Sequence, residues 1–372
     1  MATAVAKDVK PVAKEKKKVD VGQISQWRLM VRRFKQSKLA VFGLIALAIM
    51  YLLAAFADFL SPNHYDQIDS NYQWAAPTEW TFANGGLAVY GVTATLDQEK
   101  FEWVYTTDYS VTYPVKFFIH SYPYKLLGFI PTDVHLFGVD EPAKIYLWGA
   151  DRQGRDIFAR VLHGGRVSLT VGLLGVGIAV VLGSILGTAS GYFGGAIDNI
   201  MQRVIELIQS IPTIPLWAAL AAALPNDLPV VRRYLFITII LSLITWTGLA
   251  RQVRGKVLSY RSADYTAAAL AAGSSHWRII LTHMVPNALS HIIVVAALAI
   301  PGTILGETAL SFLGLGMLPP AVSWGVLLRD AQQVQVVTTY PWLMIPGVAV
   351  VFAVLCFQFL GDGMRDAVDP YG

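Results

Sequence analysis

This sequence predicts an all-α polytopic membrane protein with six transmembrane helices and one small β-rich extracytoplasmic insert domain. Three observations carry that expectation. The chain has 372 residues, 55% hydrophobic and only 15% charged, with mean hydropathy +0.50, a balance outside that of ordinary soluble domains. Six charge-free runs, 39–57, 167–197, 207–226, 234–250, 284–306 and 331–361, each approach or exceed the roughly 20 apolar residues that cross about 30 Å of hydrocarbon. Between the first two runs lies a stretch of opposite character, acidic and aromatic.

The first 38 residues carry eight Lys and three Arg against Asp8, Glu15 and Asp20, a net charge of +8. The first apolar run follows directly, so the positive-inside rule puts this arm in the cytoplasm. A nucleic-acid tail is the alternative, but a topology determinant touching anionic lipid fits better. Residues 1–38 read as a disordered start followed by a basic interfacial helix near 27–35, and 39–60 as the first transmembrane helix. The apolar run is too long and too late for a signal peptide.

Residues 61–150 hold ten acidic residues against four Lys, net −6, and 19 aromatics. The segments 87–95 and 101–119 favour strands, and Asn84-Gly85-Gly86 and Asp97-Gln98 read as turns. The insert domain is assigned to 61–146. Its aromatics suit stacking on sugars, but building a small β core is the plainer use.

Residues 147–372 form the membrane core, with five further spans and a basic loop at 251–284. Six spans put both termini in the cytoplasm. Through 283 the loop carries Arg251, Arg254, Lys256, Arg261 and Arg278 against Asp264 alone, so it belongs inside as well. Arg232 and Arg233 fall outside and oppose the rule mildly. Glycines at 172, 175, 177, 183, 187 and 191 mark the second span as a buried helix, because small residues let backbones approach. Cys356, the only cysteine, excludes disulfides within the chain and Cys-based metal sites.

Within the loop, Asp264 is placed to cap a helix through 265–272, and Gly273 to end it. Ala267, Ala268, Ala269, Ala271 and Ala272 give that helix a face almost free of side-chain bulk, suited to a partner's groove. Ser274 or Ser275 caps a second short helix with Trp277 and Ile280 on one side, and Pro286 marks entry to the fifth span. By spacing alone an ordinary alanine-rich loop explains this equally well.

The pattern of Asp264, Tyr265, Ala268, Ala269, Gly273, Arg278, His283, Pro286 and Asn287 resembles the coupling loop of binding-protein-dependent ABC importer permeases. Ala267 stands where that family has Glu, so a polar contact made by the Glu is absent. Residues 148–156, WGADRQGRD, continued by Arg160, Gly164, Gly165, Arg166, Ser168 and Leu169, resemble a signature of dipeptide, oligopeptide and nickel permeases. Residues 306–316, Pro319-Pro320, Ser323-Trp324-Gly325 and 360–370 resemble the same family. The resemblance covers 22–60 and about 147–372, leaves out the large insert, and points to the second of two permeases in a type I importer.

That resemblance implies further partners: a homologous permease, two ABC ATPases, an extracytoplasmic substrate-binding protein and the bacterial inner membrane, with no nucleic acid. It implies ATPase docking by Asp264, Tyr265, Ala267, Ala268, Ala269, Gly273, Trp277, Arg278 and Pro286. Peptides are the expected cargo, oligosaccharides the alternative, and a scaffold or channel without ATP coupling a remote one. The chain itself is expected to bind no cofactor; ATP and magnesium belong to the partner ATPases. No phosphate-binding glycine loop or nucleophile–base arrangement occurs, so a non-catalytic subunit is expected.

On the outer side, Asp151, Arg155, Asp156, Arg166, Glu307 and Trp324 are candidates for the translocation path. The segment 151–166 reads as amphipathic with wet charges, locking the bundle by ion pairs or receiving the binding protein. Glu307, near the outer end of the fifth span, is a functional group or a hydrogen-bonded structural carboxylate. His276, His283 and His291 share no helical face, and no metal site is expected.

Overall fold

The computed structural model describes residues 26–83, 85–97, 102–225 and 227–368. The expected disordered start and the turn residues Asn84 and Gln98 lie outside them. Helix α1 is Gln26–Phe34 and α2 is Lys38–Ala55, where Ser37 accepts a hydrogen bond from the Ala40 amide as N-cap. A single turn, α3 at Ala57–Leu60, leads into the insert.

The insert contains two separate antiparallel sheets. Strands β1 (Trp80–Ala83), β2 (Gly86–Asp97) and β3 (Glu102–Pro114) form one; β4 (Lys116–Leu126) and β5 (Ile130–Gly138) form a two-stranded ribbon. The strand-favouring stretch 101–119 therefore divides at Val115, just after Pro114, which has no amide to donate. Expecting its aromatics to build one β core was too simple. Tyr72, Tyr105 and Tyr146 pack around Ala75 and Ala150, while Phe82, Tyr109, Phe117, Phe118 and Phe129 stay exposed.

The rest is helical: α4 (Ile157–Phe193), α5 (Gly195–Ser210), α6 (Thr213–Ala222), α7 (Val230–Arg261), α8 (Asp264–Ala271), α9 (His276–Ile279), α10 (Val285–Phe312), α11 (Trp324–Leu327), α12 (Val334–Thr339) and α13 (Ile345–Val368). Among the described residues, five helices are long and apolar enough to cross a membrane: α2, α4, α7, the 276–312 stretch containing α10, and 341–368 containing α13. A sixth span exists only if α5 and α6 count as one, and they are bent by 82°. The third apolar run is thus no straight span. Ile211, preceding Pro212, is held extended at φ −88°, ψ 130°, as the residue before a proline prefers. The sixth run also contains less regular helix than expected. Tyr340 precedes Pro341 and leaves the helical region, so the long helix starts only at Ile345.

The central packed pair is α4 with α7. Gly183, Gly187 and Gly191 recur every four residues on α4 and form one stripe. A Cβ on Gly183 would lie 2.6 Å from Leu249 and 2.9 Å from the Trp246 carbonyl. One on Gly187 would clash with the Ala250 carbonyl, and one on Gly191 would sit 3.0 Å from that of Arg254. Such small-residue stripes let backbones touch where lipid offers no hydrophobic drive between helices. Gly172 admits Ile304 of α10 in the same way, but Gly177 has nothing within 4 Å, so its expected packing role is not met.

Gly187→Ala should force α4 from α7 and lower stability by about 1–3 kcal/mol. Gly177→Ala, in open space, should be neutral or stabilising by up to about 1 kcal/mol through helix propensity. Thermal unfolding of the two variants in detergent separates them; equal losses would refute the stripe.

Candidate functional site

The candidate residues occupy opposite ends of the α4–α7 pair. At one end is the basic loop. Thr266, buried on the inner side of α8, donates to the Tyr260 carbonyl at 2.9 Å. Tyr265, Ala267, Ala268, Leu270, Ala271 and Ala272 face outward, and Ala269 is half-buried. Asp264 is not the cap: it is the first helical residue, Ala263 holds the cap position, and no side chain caps it. The far end closes as expected. The Gly273 amide donates to Leu270 at 2.9 Å and the Ser274 amide to Ala269 at 3.0 Å, with Gly273 at φ +76°. This Schellman closure needs a left-handed residue and favours glycine.

Ser275 caps α9 by accepting from the Arg278 amide at 3.4 Å. The next five residues form one π turn, Ile280–Met284, before α10, and Pro286 lies in the first turn of that helix. Trp277 and Ile280 do not behave as one face. Trp277 is 56% exposed, whereas Ile279 and Ile280 are buried against Tyr192, Val253, Val257 and Met284. His276 is paired with the Tyr192 hydroxyl at 2.9 Å, and Phe193 lies against the His276 and Trp277 rings. The loop is therefore a stiff hairpin with its buried side fixed to the ends of α4 and α7 and its small-residue side open.

Sequence reading missed a tie just behind this hairpin. Arg254 of α7 donates two hydrogen bonds to Asp198 of α5, both at 2.6 Å, and Ser190 of α4 donates a third at 2.5 Å. The signal available was an acid shortly after Gly194-Gly195, where the helix must break.

The other end holds the segment 151–166; Arg152 is exposed and Arg155 and Arg166 are half-buried, but its other charges are not wet. Asp151 is 2% exposed, Asp156 1% and Arg160 3%. Asp151 accepts from the Gln153 and Arg155 amides at 2.8 and 3.0 Å and from Arg155 Nε at 2.8 Å. Arg160 Nε lies 3.5 Å from the same carboxylate. Partners from distant parts of the chain cover these groups, which no local periodicity could reveal. Gly154, at φ +74°, lets the turn pass so close to Asp69 that any Cβ would strike its carbonyl.

Asp156 caps α4 through the Phe158 amide at 2.9 Å and accepts from Asn63 at 3.0 Å. Burial pushes its carboxyl up to about 7, against those hydrogen bonds, which favour the charged form. Arg166 donates to the Ala54 and Ala55 carbonyls at 2.6 and 3.0 Å and to Asp58 at 2.9 Å, so it satisfies orphan carbonyls at the end of α2. His163 approaches the other oxygen of Asp58 at 3.0 Å. Burial raises the Asp58 carboxyl, but His163 and Arg166 together hold it at about 2. Neither Asp58 nor His163 stood out in the sequence; an acid at the first residue beyond an apolar run was the only signal.

Glu307 is fully buried. It accepts from Ser168 at 3.0 Å and Ser311 at 2.7 Å. Each hydroxyl in turn accepts a backbone amide, Trp324 at 3.1 Å and Met317 at 2.9 Å. Its geometry is that of a hydrogen-bonded structural carboxylate joining α4, α10 and α11. Trp324 lies against Gly164 and Gly165 and donates from Nε1 to the Val161 carbonyl at 2.9 Å. The structure thus gathers Asp151, Arg155 and Asp156 around the start of α4, and Glu307 with Trp324 beside Ser168. Arg166 forms a third group with Asp58. No group of three potential metal ligands occurs among the described residues.

Because native Asp156 keeps its proton up to about pH 7 and an unfolded Asp loses it near 4, the native state binds more protons in that window. Stability is expected to fall as pH rises from about 4 to 7. Asp156→Asn should flatten that slope, seen as thermal midpoints at about pH 5 and about pH 8 that differ less than in the wild type. An unchanged slope would contradict this assignment.

The family model described as "Binding-protein-dependent transport system inner membrane component" matches residues 179–371. A second, described as the N-terminal TM domain of oligopeptide transport permease C, matches residues 25–77. The oligopeptide transport system permease protein of Haemophilus influenzae is 34% identical over 348 residues, covering 93% of this chain and 89% of that protein. The dipeptide transport system permease protein of Lactococcus lactis is 33% identical over 91% of this chain and 89% of its own length. The oligopeptide transport system permease protein of Bacillus subtilis is 30% identical over 96% and 94%. Matches of this span run through the insert as well as the helical core.

Proposed function

The chain belongs to the family of binding-protein-dependent transport system inner membrane components, and from that premise we propose how it works as a permease subunit of a peptide importer driven by ATP. Relatives whose printed names give a cargo carry dipeptides or oligopeptides, which favours peptides over the sugar alternative. The partners are a homologous permease, two ATPases that bind ATP and magnesium, and an extracytoplasmic binding protein. Chemistry belongs to the ATPases, and this chain contributes a path and a lever.

The observation that carries this reading is the open, side-chain-poor side of α8 on a hairpin whose other side is anchored. A helix with so little bulk can enter a groove on an ATPase with its backbone near the wall. Tyr265, Ala267, Ala268, Ala269, Trp277 and Arg278 make or flank that contact, Gly273 shapes it, and Pro286 starts the helix that receives the motion. Asp264 contributes through its charge in the first turn of α8. With Ala267 in place of the family Glu, docking rests on shape. ATP-driven closure of the ATPases moves the hairpin, and hydrolysis releases it. The transporter thus shifts between two states with different access. Around Asp151, Arg155, Asp156, Arg166, Glu307 and Trp324 the outer end of the path holds its shape while the bundle rearranges. The arm 1–38, the loop 251–284 and both termini face the cytoplasm, and the insert 61–146 faces the binding protein.

Gly273→Leu meets no steric neighbour but strains a left-handed turn by about 1–2 kcal/mol. ATPase co-purification and substrate-stimulated hydrolysis should fall roughly tenfold, as a loss of ~1.4 kcal/mol in docking implies, while the permease pair still assembles. Normal hydrolysis in the assembled complex would count against the docking role. Orientation is checked by Ser274→Cys and Ser110→Cys, each in a Cys356→Ser background. A membrane-impermeant thiol reagent applied to intact spheroplasts should label the second and spare the first; the reverse pattern overturns the topology.

A further inference from the structure

Helix α5 presents three faces. Ile205 is fully buried in a cluster with Ala179 of α4 and Trp246 and Ala250 of α7, and Met201 and Ile208 pack beside it. A second face, Ile197, Ile200, Val204 and Leu207, is apolar and exposed, spaced by three and four residues as one side of a helix requires. The third, Asn199, Arg203, Glu206 and Ser210, has similar spacing and is polar and exposed. Arg203 and Glu206 pair with one another at 2.8 Å, their side chains 84% and 51% exposed. Neighbours fix the level of this pair along the bundle. Near the start of α5, Asp198 meets Arg254 at the charged end of α7. Near its end, Gln209 donates to Thr247 at 3.0 Å, inside the charge-free run 234–250. Arg203 and Glu206 lie between, on either side of Ile205, whose partners Trp246 and Ala250 belong to that run. Glu206 stands about 12 Å along the helix from Asp198 at 1.5 Å per residue.

Hydrocarbon accepts the apolar stripe but not an exposed ion pair at that level, where ionisable side chains face a bundle interior or a water-filled space. We propose, resting on the peptide-importer reading above, that the polar face of α5 lines the water-filled path and that Arg203 and Glu206 discriminate among cargo peptides by charge. An arginine and a glutamate side by side make this wall polar without a net charge. A zwitterionic peptide finds a partner there for its carboxylate and one for its ammonium, and no field of a single sign holds it back. Asn199 and Ser210 extend the stripe in both directions with neutral donors and acceptors. Lipid headgroups would meet the pair only if α5 lay at the membrane surface, and its packing on Ala179, well inside α4, opposes that.

The test uses the importer assembled with its permease partner, ATPases and binding protein in proteoliposomes, this chain carrying Cys356→Ser. Asn199→Cys and Ser210→Cys should react with a charged methanethiosulfonate reagent about tenfold faster than Ile200→Cys and Leu207→Cys, because a thiol turned to hydrocarbon does not ionise to the reactive thiolate. Trialanine transported with ATP should slow the first two and not the others. In competition uptake against labelled trialanine, Arg203→Gln should shift preference toward trilysine and Glu206→Gln toward triglutamate, each about fivefold, the effect of one charge at roughly 4 Å in water. Arg203→Glu combined with Glu206→Arg should keep the wild-type preference, which separates charge from fold. Equal labelling of the two stripes, in a complex that still hydrolyses ATP in response to peptide, overturns this assignment and leaves the peptide reading standing. Fast labelling of the polar stripe that trialanine does not slow makes α5 a surface helix and also overturns it, as do unshifted preferences in both single variants. A wild-type importer that no peptide stimulates, charged or neutral, would strike the peptide reading itself and this proposal with it.

Discussion

Hydrocarbon supplies no hydrogen bonds, so a polar group buried among these helices is costly unless the chain itself satisfies it; the Ser184, Thr188 and Thr308 hydroxyls are left without a partner among the described residues, but the larger charged groups are tied in. Much of the architecture follows from that constraint. Arg166 closes the carbonyl end of α2, and Arg233 does similar work across the bundle. It donates to the carbonyls of Gly316, Pro225 and Leu315 at 2.6, 3.2 and 3.2 Å. Along α7, Thr238, Ser242 and Thr245 return their hydroxyls to carbonyls one turn back, at 2.8, 2.6 and 2.8 Å. Glu307 completes the set as an acceptor for two serines whose own acceptor capacity takes up loop amides.

These ties are arranged at the two ends of one stiff object. At 37 residues, α4 is about 55 Å long at 1.5 Å per residue. Its first turns hold Asp156, His163, Arg166 and Ser168; its last hold Ser190, Tyr192 and Phe193. Close approach along the glycine stripe binds it to α7, which runs on to Arg254 and the loop. On the proposed function, a displacement of the hairpin is transmitted through the packed residues Tyr192, Val253 and Ile280 into the pair as a whole, toward the polar cluster on the far side. On the proposed function, that is how a contact outside the membrane-spanning core changes access at its other end.

What was legible in the sequence follows the same physics. The apolar runs and the Gly273 closure depend on local residue types, and they were readable, whereas the break at Gly194-Gly195 inside the second run was not expected. Small-residue content foretold the close packing of α4, yet it also recruited Gly177, because composition marks a helix and not the neighbour of each residue. The segment 151–166 was misjudged for a related reason. Its charges look wet in sequence, but Asp156 meets Asn63 and Arg160 meets Tyr65 and Asp66, each some ninety residues earlier. Asp264 failed as a cap because the helix starts one residue sooner than its capping chemistry implies.

The insert marks the remaining boundary of local reading. Strand propensity located the β segments, but propensity does not say whether strands share a sheet. Here they form two sheets, joined to the helical core by side chains far apart in sequence. His135 of β5 sits fully buried, its Nδ1 2.8 Å from the Asp58 carbonyl and its Nε2 3.0 Å from that of Tyr122. Lys144 pairs with Asp69, and Trp342, next to α13, donates to the Ala150 carbonyl at 3.0 Å. The aromatics that look like a core in composition are instead divided between this junction and open surface. The insert is held by its roots, around Asp58, Asn63 and Ala150, and much of its own ring surface is left available above them. Composition gave the material of this region; only long-range pairing decides which part of it is structural and which part is free to meet a partner.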